Sequence, residues 1–293
     1  MNWIEDCQTW LENEQIPFEI PNTTLDNNHW PVLAFPQQRI CLLMISLDTW
    51  NARSLSLDYW QQLADKAKAN AQKIIFLWED LWVTQQDLIK ARLRSILGKF
   101  YRINARHCII TRIDKPTLDN FLINNHLQGT TQAKYKYGLF LKKQYVAKYI
   151  NHDASAEADY LVGVASFSGG RTMKWGDRKD HRSFELLRFA TLQGYVVVGG
   201  MDKLLKAFIA ELHPDDIMSY ADRDWSDGRS YKTLGFEPVD TLLQPQVYWI
   251  NPMTLERHFA NKILGEKSEK TLQEAHWIKI WNAGSLKYVK TIA

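Results

Sequence analysis

Apolar positions near the start of the chain recur at helical spacing. Trp3, Ile4, Cys7, Trp10 and Leu11 share one face of residues 2–15, and Pro17 stops that helix. Two apolar runs, VLAF and ICLLMISL, flank PQQR within residues 31–47 and predict buried strands. Residues 58–72 have a helical composition, and IIFLW at 74–78 is a strand by length. Thr84 with Asp87 resembles a capping box that opens a helix to about Gly98. Strand alternating with helix predicts an α/β domain ending near residue 100.

The pattern restarts near residue 106. RHCIITRI reads as a strand, DKPTLDNFLINNHL as a helix, and YKYGLFLKKQYVAKYI as a hairpin turning at KKQ. LVGVASFS (161–168) and FELLRFAT (184–191) are strands around a long charged loop, residues 169–183. YVVVGG leads into a helix whose stripe is Leu204, Leu205, Phe208, Ile209 and Leu212. A strand over DDIMSYAD, a short helix over YKTLGF, a hairpin of PVDTLL with QVYWI, a charged helix and a hairpin about Asn282-Ala283-Gly284 follow.

The 293 residues suit two compact domains, and 45% hydrophobic with 24% charged residues excludes a disordered chain. Three scattered cysteines (Cys7, Cys41, Cys108) form no CxxC and no metal-ligand set, and fit a reducing compartment. The acidic, polar N-terminus is unlike a signal peptide and no apolar run spans a membrane, so the expected location is cytoplasmic. The net charge of +3 hides an asymmetry: residues 1–50 carry −6 and residues 101–150 carry +7. A basic middle of this kind is a footprint for a polyanion or a set of solvated helix faces.

Val198-Gly199-Gly200-Met201-Asp202-Lys203, followed by Tyr231, Leu234, Gly235 and Phe236 in Tyr-x-x-Leu-Gly-Phe, resembles the GCN5-related acyltransferase (GNAT) fold. The resemblance implies a helix N-terminus at Gly199, Gly200 and Lys203 that binds the pyrophosphate of acetyl-CoA or another acyl-CoA. The loop is shorter than the family's, lacks its arginine, and places Asp202 where an anion would approach. A tight turn requiring positive φ is the alternative reading of the two glycines.

Ordered motifs from residue 73 onward, among them IIFLWEDLW, NNHLQG, LVGVASFS and SYADRDWSDGRSYKTLGF, resemble phage and mobile-element "Hef-like homing endonuclease" proteins. That resemblance implies a nuclease-like domain of the Vsr or PD-(D/E)xK type over 1–100 and a GNAT-like domain over 101–293, the latter distantly similar to Mom-type DNA modification proteins. Met44 and Asn51 stand where the nuclease pattern has a Glu and a His, so Glu79 and Asp80 are left as a single acidic pair. Such a domain is degenerate.

The candidate catalytic residues are Asp222, Tyr220, Glu185 and Tyr231. Tyr220, Asp222, Arg223 and Trp225 follow a strand, where open α/β sheets place ligands. Arg223 suits phosphate and Trp225 suits base stacking. Arg171, Lys174, Trp175, Arg178, Lys179 and Arg182 make the 169–183 loop basic, with Arg188, Asn125 and His126 as further candidates for the same cleft. Glu185 and Arg188 meet on one face only if their strand bulges. The expected function is a nucleic-acid-associated protein, with DNA as partner and a cleft that binds or modifies a base or nucleotide. The alternatives are an acyl-CoA-dependent N-acyltransferase, an active homing-type endonuclease and a non-catalytic interaction protein.

Overall fold

The computed structural model describes residues 2–21, 28–150, 157–175 and 178–292. The chain forms two compact units, each assembled from several stretches. The first takes 1–86, 221–229 and 240–287; the second takes 87–220, 230–239 and 288–293. The single boundary read near residue 100 therefore differs from the path of the chain, which crosses repeatedly.

In the first unit, strand Ile40–Ile45 lies between Val32–Phe35, antiparallel, and Lys73–Trp78, parallel. All six side chains of Ile40–Ile45 are buried, as a central strand covered on both faces requires. Arg39 at φ +57° closes the turn before it. Trp30, Trp50, Trp78 and Phe76 surround Trp60 with ring centroids 5.2–5.8 Å away. A second sheet sets Val247–Ile250 between Arg257–Phe259 and Ile278–Trp281, all antiparallel. The Trp50 indole donates to the Lys279 carbonyl at 2.9 Å. Glu79 and Asp80 open the helix Glu79–Thr84. Glu79 accepts from the Leu47 amide at 2.8 Å, and Asp80 is fully buried. Thr84 bonds back to the Asp80 carbonyl instead of capping the next helix, Gln86–Ile96.

The second unit is built on an eight-stranded mixed sheet. Its order is Glu237–Leu243, Ser285–Thr291, Asp216–Asp222, Arg178–Thr191, Tyr160–Phe167, Tyr135–Leu141 and Cys108–Arg112, with Arg171–Trp175 paired on Arg178–Thr191. Helix Lys115–Asn125 covers one face through Leu118, Phe121 and Leu122 against Val164 and Ala190. Helix Gly200–Leu212 covers the other, where Phe208 stacks on Phe167 at 3.9 Å and meets Phe184 edge-on.

Four local expectations are corrected. The charged segment 169–183 is a hairpin, with Arg171 opposite Ser183 and Met173 opposite His181. Its inward positions are the polar His181 and Ser183, so no hydrophobic alternation marks it. Asp216 satisfies both, meeting His181 Nε2 and Ser183 Oγ at 2.5 Å each. The segment after Leu141 is a helix, Lys143–Tyr149, because Tyr145 stacks on His107 and Tyr149 bonds it. The two terminal hairpins are absent as pairs: Glu237–Leu243 and Val247–Ile250 join different sheets, as do Ile278–Trp281 and Ser285–Thr291.

Candidate active site

Strands Arg178–Thr191 and Asp216–Asp222 are parallel neighbours for only three residue pairs, ending at Glu185–Met218. Both strands run on past that point. The cause lies on the other edge of Arg178–Thr191. Phe167 faces Leu186 and the adjacent Ser166 faces Arg188, so Leu187 is an extra, bulged residue. A bulge sharpens twist and re-aims side chains. Beyond it, the Leu186 carbonyl accepts from the Ser219 hydroxyl at 3.0 Å in place of a strand partner. A slot opens between the diverging strands.

The bulge also settles the geometry of Glu185 and Arg188. With Leu187 inserted, the two side chains project from the same face. Met218, in register with Glu185, and Tyr220, two residues on, share that face. Burial and the neighbouring Glu185 push the Tyr220 phenol up. His126 follows helix Lys115–Asn125 on this side. Burial, and then the guanidiniums of Arg188 and Arg92, push its imidazole down to about 3, so the ring is neutral. Its Nδ1 accepts from the Gln128 amide at 3.1 Å, which puts the proton on Nε2. Asn125 is structural: it donates to the Phe121 carbonyl and accepts from the Gln193 amide, both at 2.8 Å.

The Tyr231 hydroxyl lies 3.0 Å from Ser219 Oγ, and its ring stacks on Tyr288. Burial pushes this phenol up.

Gly199 caps helix Gly200–Leu212 at φ +77°, with no side-chain cap. The first-turn amides therefore have no intrahelical partner. A Cβ on Gly200 would press on Val197 and Leu139 at 3.0–3.1 Å, so the start of the helix is tight against the sheet. An open concavity lies here, lined by Asn104, Ala105 and Arg106 on one side and Gly199, Asp202 and Lys206 on the other. Lys203 reaches inward and donates to the carbonyls of Ala105 (3.0 Å) and Cys108 (2.5 Å), so its ammonium pins the fold. Asp202 is paired with Lys206 at 2.7 Å.

Other expected residues are engaged elsewhere. Arg223 is buried, pairs with Asp65 and reaches the Gln61 carbonyl, so it is spent within the first unit. Trp225 is also buried and offers no face to a base. Asp222 accepts from the Asp224 amide at 3.0 Å, forming a turn. Arg171 and Lys174 are exposed on the hairpin. Arg182 packs its guanidinium over Phe184, and its amide donates to Asp215. The side chains of Trp175, Arg178 and Lys179 lie outside the described residues. Sequence reasoning missed Ser219, which carries no motif signal; it made a bulge the condition for joining Glu185 and Arg188, and only the register of the neighbouring strand places that bulge at Leu187.

Among the described residues no three His, Cys, Asp or Glu side chains converge as a metal site, and no helix is long and apolar enough to cross a membrane. No protein-family profile and no curated protein matches the chain. Solved structures similar to the chain include acetyltransferases. A chain of the NatC complex bound to Gag peptide and CoA is 11% identical, covering 64% of this chain and 99% of its own, at a TM-score of 0.32. Histone acetyltransferase HPA2 and related acetyltransferase from Corynebacterium glutamicum is 14% identical over 64% of this chain and 97% of its own, at 0.35. NAA60 of Arabidopsis thaliana in complex with acetyl-CoA is 10% identical over 63% and 99%, at 0.34.

Proposed function

We propose that the second unit is an acyl-CoA-dependent acyltransferase acting on an amine. The observation that carries this reading is the slot between Arg178–Thr191 and Asp216–Asp222, opened by the Leu187 bulge, in a unit that also holds a glycine-capped helix start. An extended, amide-bearing arm fits a gap where a strand lacks its neighbour, by the logic of strand addition. The bare amides at the start of helix Gly200–Leu212, with Arg106 and Lys206 on the rim, suit a diphosphate. Asp202 opposes it, and its pairing with Lys206 reduces that opposition. Acyl-CoA supplies an acyl group activated as a thioester.

The chain's own groups do the rest. Glu185, at the end of the paired ladder, is placed to take a proton from the acceptor amine. Arg188 on the same face lends positive charge, and neutral His126 adds none. Tyr231, a phenol pushed up and held by Ser219, is placed to give a proton to a departing thiolate. These roles replace the nucleotide-modifying cleft expected around Asp222, Arg223 and Trp225.

The test is thermal unfolding with CoA and acetyl-CoA, paired with mass detection of an acylated amine. A ligand at a hundred times its Kd adds about 2.7 kcal/mol of stability. Stabilisation by CoA, with transfer lost in Glu185→Gln and Tyr231→Phe while stabilisation persists, supports the reading. No stabilisation at millimolar CoA overturns it.

A further inference from the structure

Ser166 lies on the sheet face that carries Arg188. Strand register sets it between Arg188 and Lys136, and directly paired residues point the same way. Ser166 is fully buried, and its hydroxyl has no hydrogen-bond partner among the described residues. A hydroxyl in that state is costly, and an acceptor oxygen from a ligand would complete it. Lys136 is turned to the backbone, its ammonium donating to the Ala133 carbonyl at 3.1 Å. Arg188 is anchored at the bulge, where its Nη1 donates to the Leu187 carbonyl at 2.8 Å. Ser168, two residues past Ser166, fixes Glu185. Its hydroxyl accepts from the Glu185 amide and its own amide donates to the Glu185 carbonyl, both at 2.9 Å.

Further cations reach this face. Burial lowers the His126 imidazole first, and Arg188 and Arg92 then add to it. Arg92 is exposed on helix Gln86–Ile96. Burial raises the Tyr231 phenol, and Ser219, Arg92 and Arg188 pull against it, so both guanidiniums act on the slot as well. Burial and Glu185 raise the Tyr220 phenol, and Arg171 opposes them. The other carboxylate of the paired ladder, Asp216, is taken by His181 and Ser183.

We propose that the acceptor of the acyl group is an amine that carries its own carboxylate, an amino acid, with Glu185 meeting its nitrogen and Arg188 and Ser166 its carboxylate. The inference rests on the acyltransferase reading of the slot and names the substrate class for it. A carboxylate and a guanidinium on one face are the complement of a zwitterion. Successive same-face positions on a strand lie about 7 Å apart. An ammonium and a carboxylate one or two carbons apart bridge that span with a hydrogen bond at each end. The guanidinium fork matches a carboxylate, and the Ser166 hydroxyl supplies one more donor. An amine without a carboxylate would meet Glu185 alone. In the transfer, the ammonium gives one proton to solvent through Glu185. Its nitrogen bonds to the acyl carbon as the C–S bond breaks, and its second proton balances the thiolate, which leaves as the CoA thiol.

The experiment measures transfer from acetyl-CoA to the common amino acids and to their carboxamides with the full chain. The best amino acid should exceed its carboxamide about ten- to hundredfold in kcat/KM, the worth of a charged hydrogen bond. In Arg188→Gln the ratio should fall to about one, chiefly through KM, and Arg188→Lys should recover part of it. Ser166→Ala should raise KM about threefold or more with no loss of thermal stability. Arg92→Gln, an exposed change, should lower the ratio about two- to fivefold, which keeps the test alive if Arg188→Gln does not fold. The amino acid should also add to the thermal stabilisation given by CoA in the parent and not in Arg188→Gln. The inference is overturned if carboxamides are acetylated as well as amino acids, if no common amino acid is acetylated, or if Arg188→Gln keeps the preference. Stabilisation by CoA tells two failures apart. Where CoA stabilises the chain, only the acceptor class falls; where millimolar CoA does not, both readings fall.

Discussion

Asp80 is fully buried, and both its oxygens accept from Arg257, at 2.7 and 2.8 Å. Removing one member of such a pair strands the other charge in a dry site. Asp80→Ala is expected to cost about 3–5 kcal/mol in urea unfolding. Asp224, buried nearby in the same unit, is the opposite case. Burial and then the charge of Asp222 push its carboxyl well above the ordinary carboxylate range. His126 gives a pH signature. Its native pKa, about 3, lies below the ordinary histidine value of 6.5, so the unfolded chain takes up a proton first as pH falls. Its contribution to stability is therefore complete above pH 6.5 and is lost between 6.5 and about 3. The slope is at most about 1.4 kcal/mol per pH unit. Urea midpoints measured from pH 7 to pH 4.5 should show this slope, and His126→Gln should flatten it.

Elements whose apolar residues carry a clear period were legible in the sequence. Trp3–Asn13, Ile40–Ile45, Lys73–Trp78 and Gly200–Leu212 all lie where the pattern put them. Elements stabilised by polar burial or by a distant partner were not. The 171–175/178–191 hairpin hides because His181 and Ser183 fill its inward positions, and Lys143–Tyr149 because its aromatic residues favour strand until His107 is beside them. The site divided in the same way. Glu185, Arg188 and Tyr220 were named from the sequence, and the bulge that brings them to one face is a property of register, which no single strand reveals. Arg223 and Trp225 were misjudged because composition does not show burial. At this scale the tryptophan cluster is a structural keystone. Trp60 is 1% exposed among Trp30, Trp50, Trp78 and Phe76, and Trp60→Ala should cost about 3–5 kcal/mol by thermal or urea unfolding.

For the molecule as a whole, composition bounded size and class, while the path of the chain stayed hidden because contacts far apart in sequence leave no local trace. The first unit draws on 1–86, 221–229 and 240–287, so a fragment ending at residue 100 lacks the arginine for Asp80 and the carbonyl for Trp50. Expressed alone, residues 1–100 should give the narrow amide dispersion of an unfolded chain in an NMR spectrum, against wide dispersion for the full chain.

The Asp80–Arg257 pair spans 177 residues, and that separation becomes a delay during synthesis. At about 5–20 residues per second, Asp80 is made roughly ten to thirty seconds before its partner. Over that interval the early tryptophans have no completed core to enter. The nascent chain's exposed apolar segments should then recruit hydrophobic-segment chaperones, and the second unit, whose main stretch ends at Tyr220, is largely translated before the first can close.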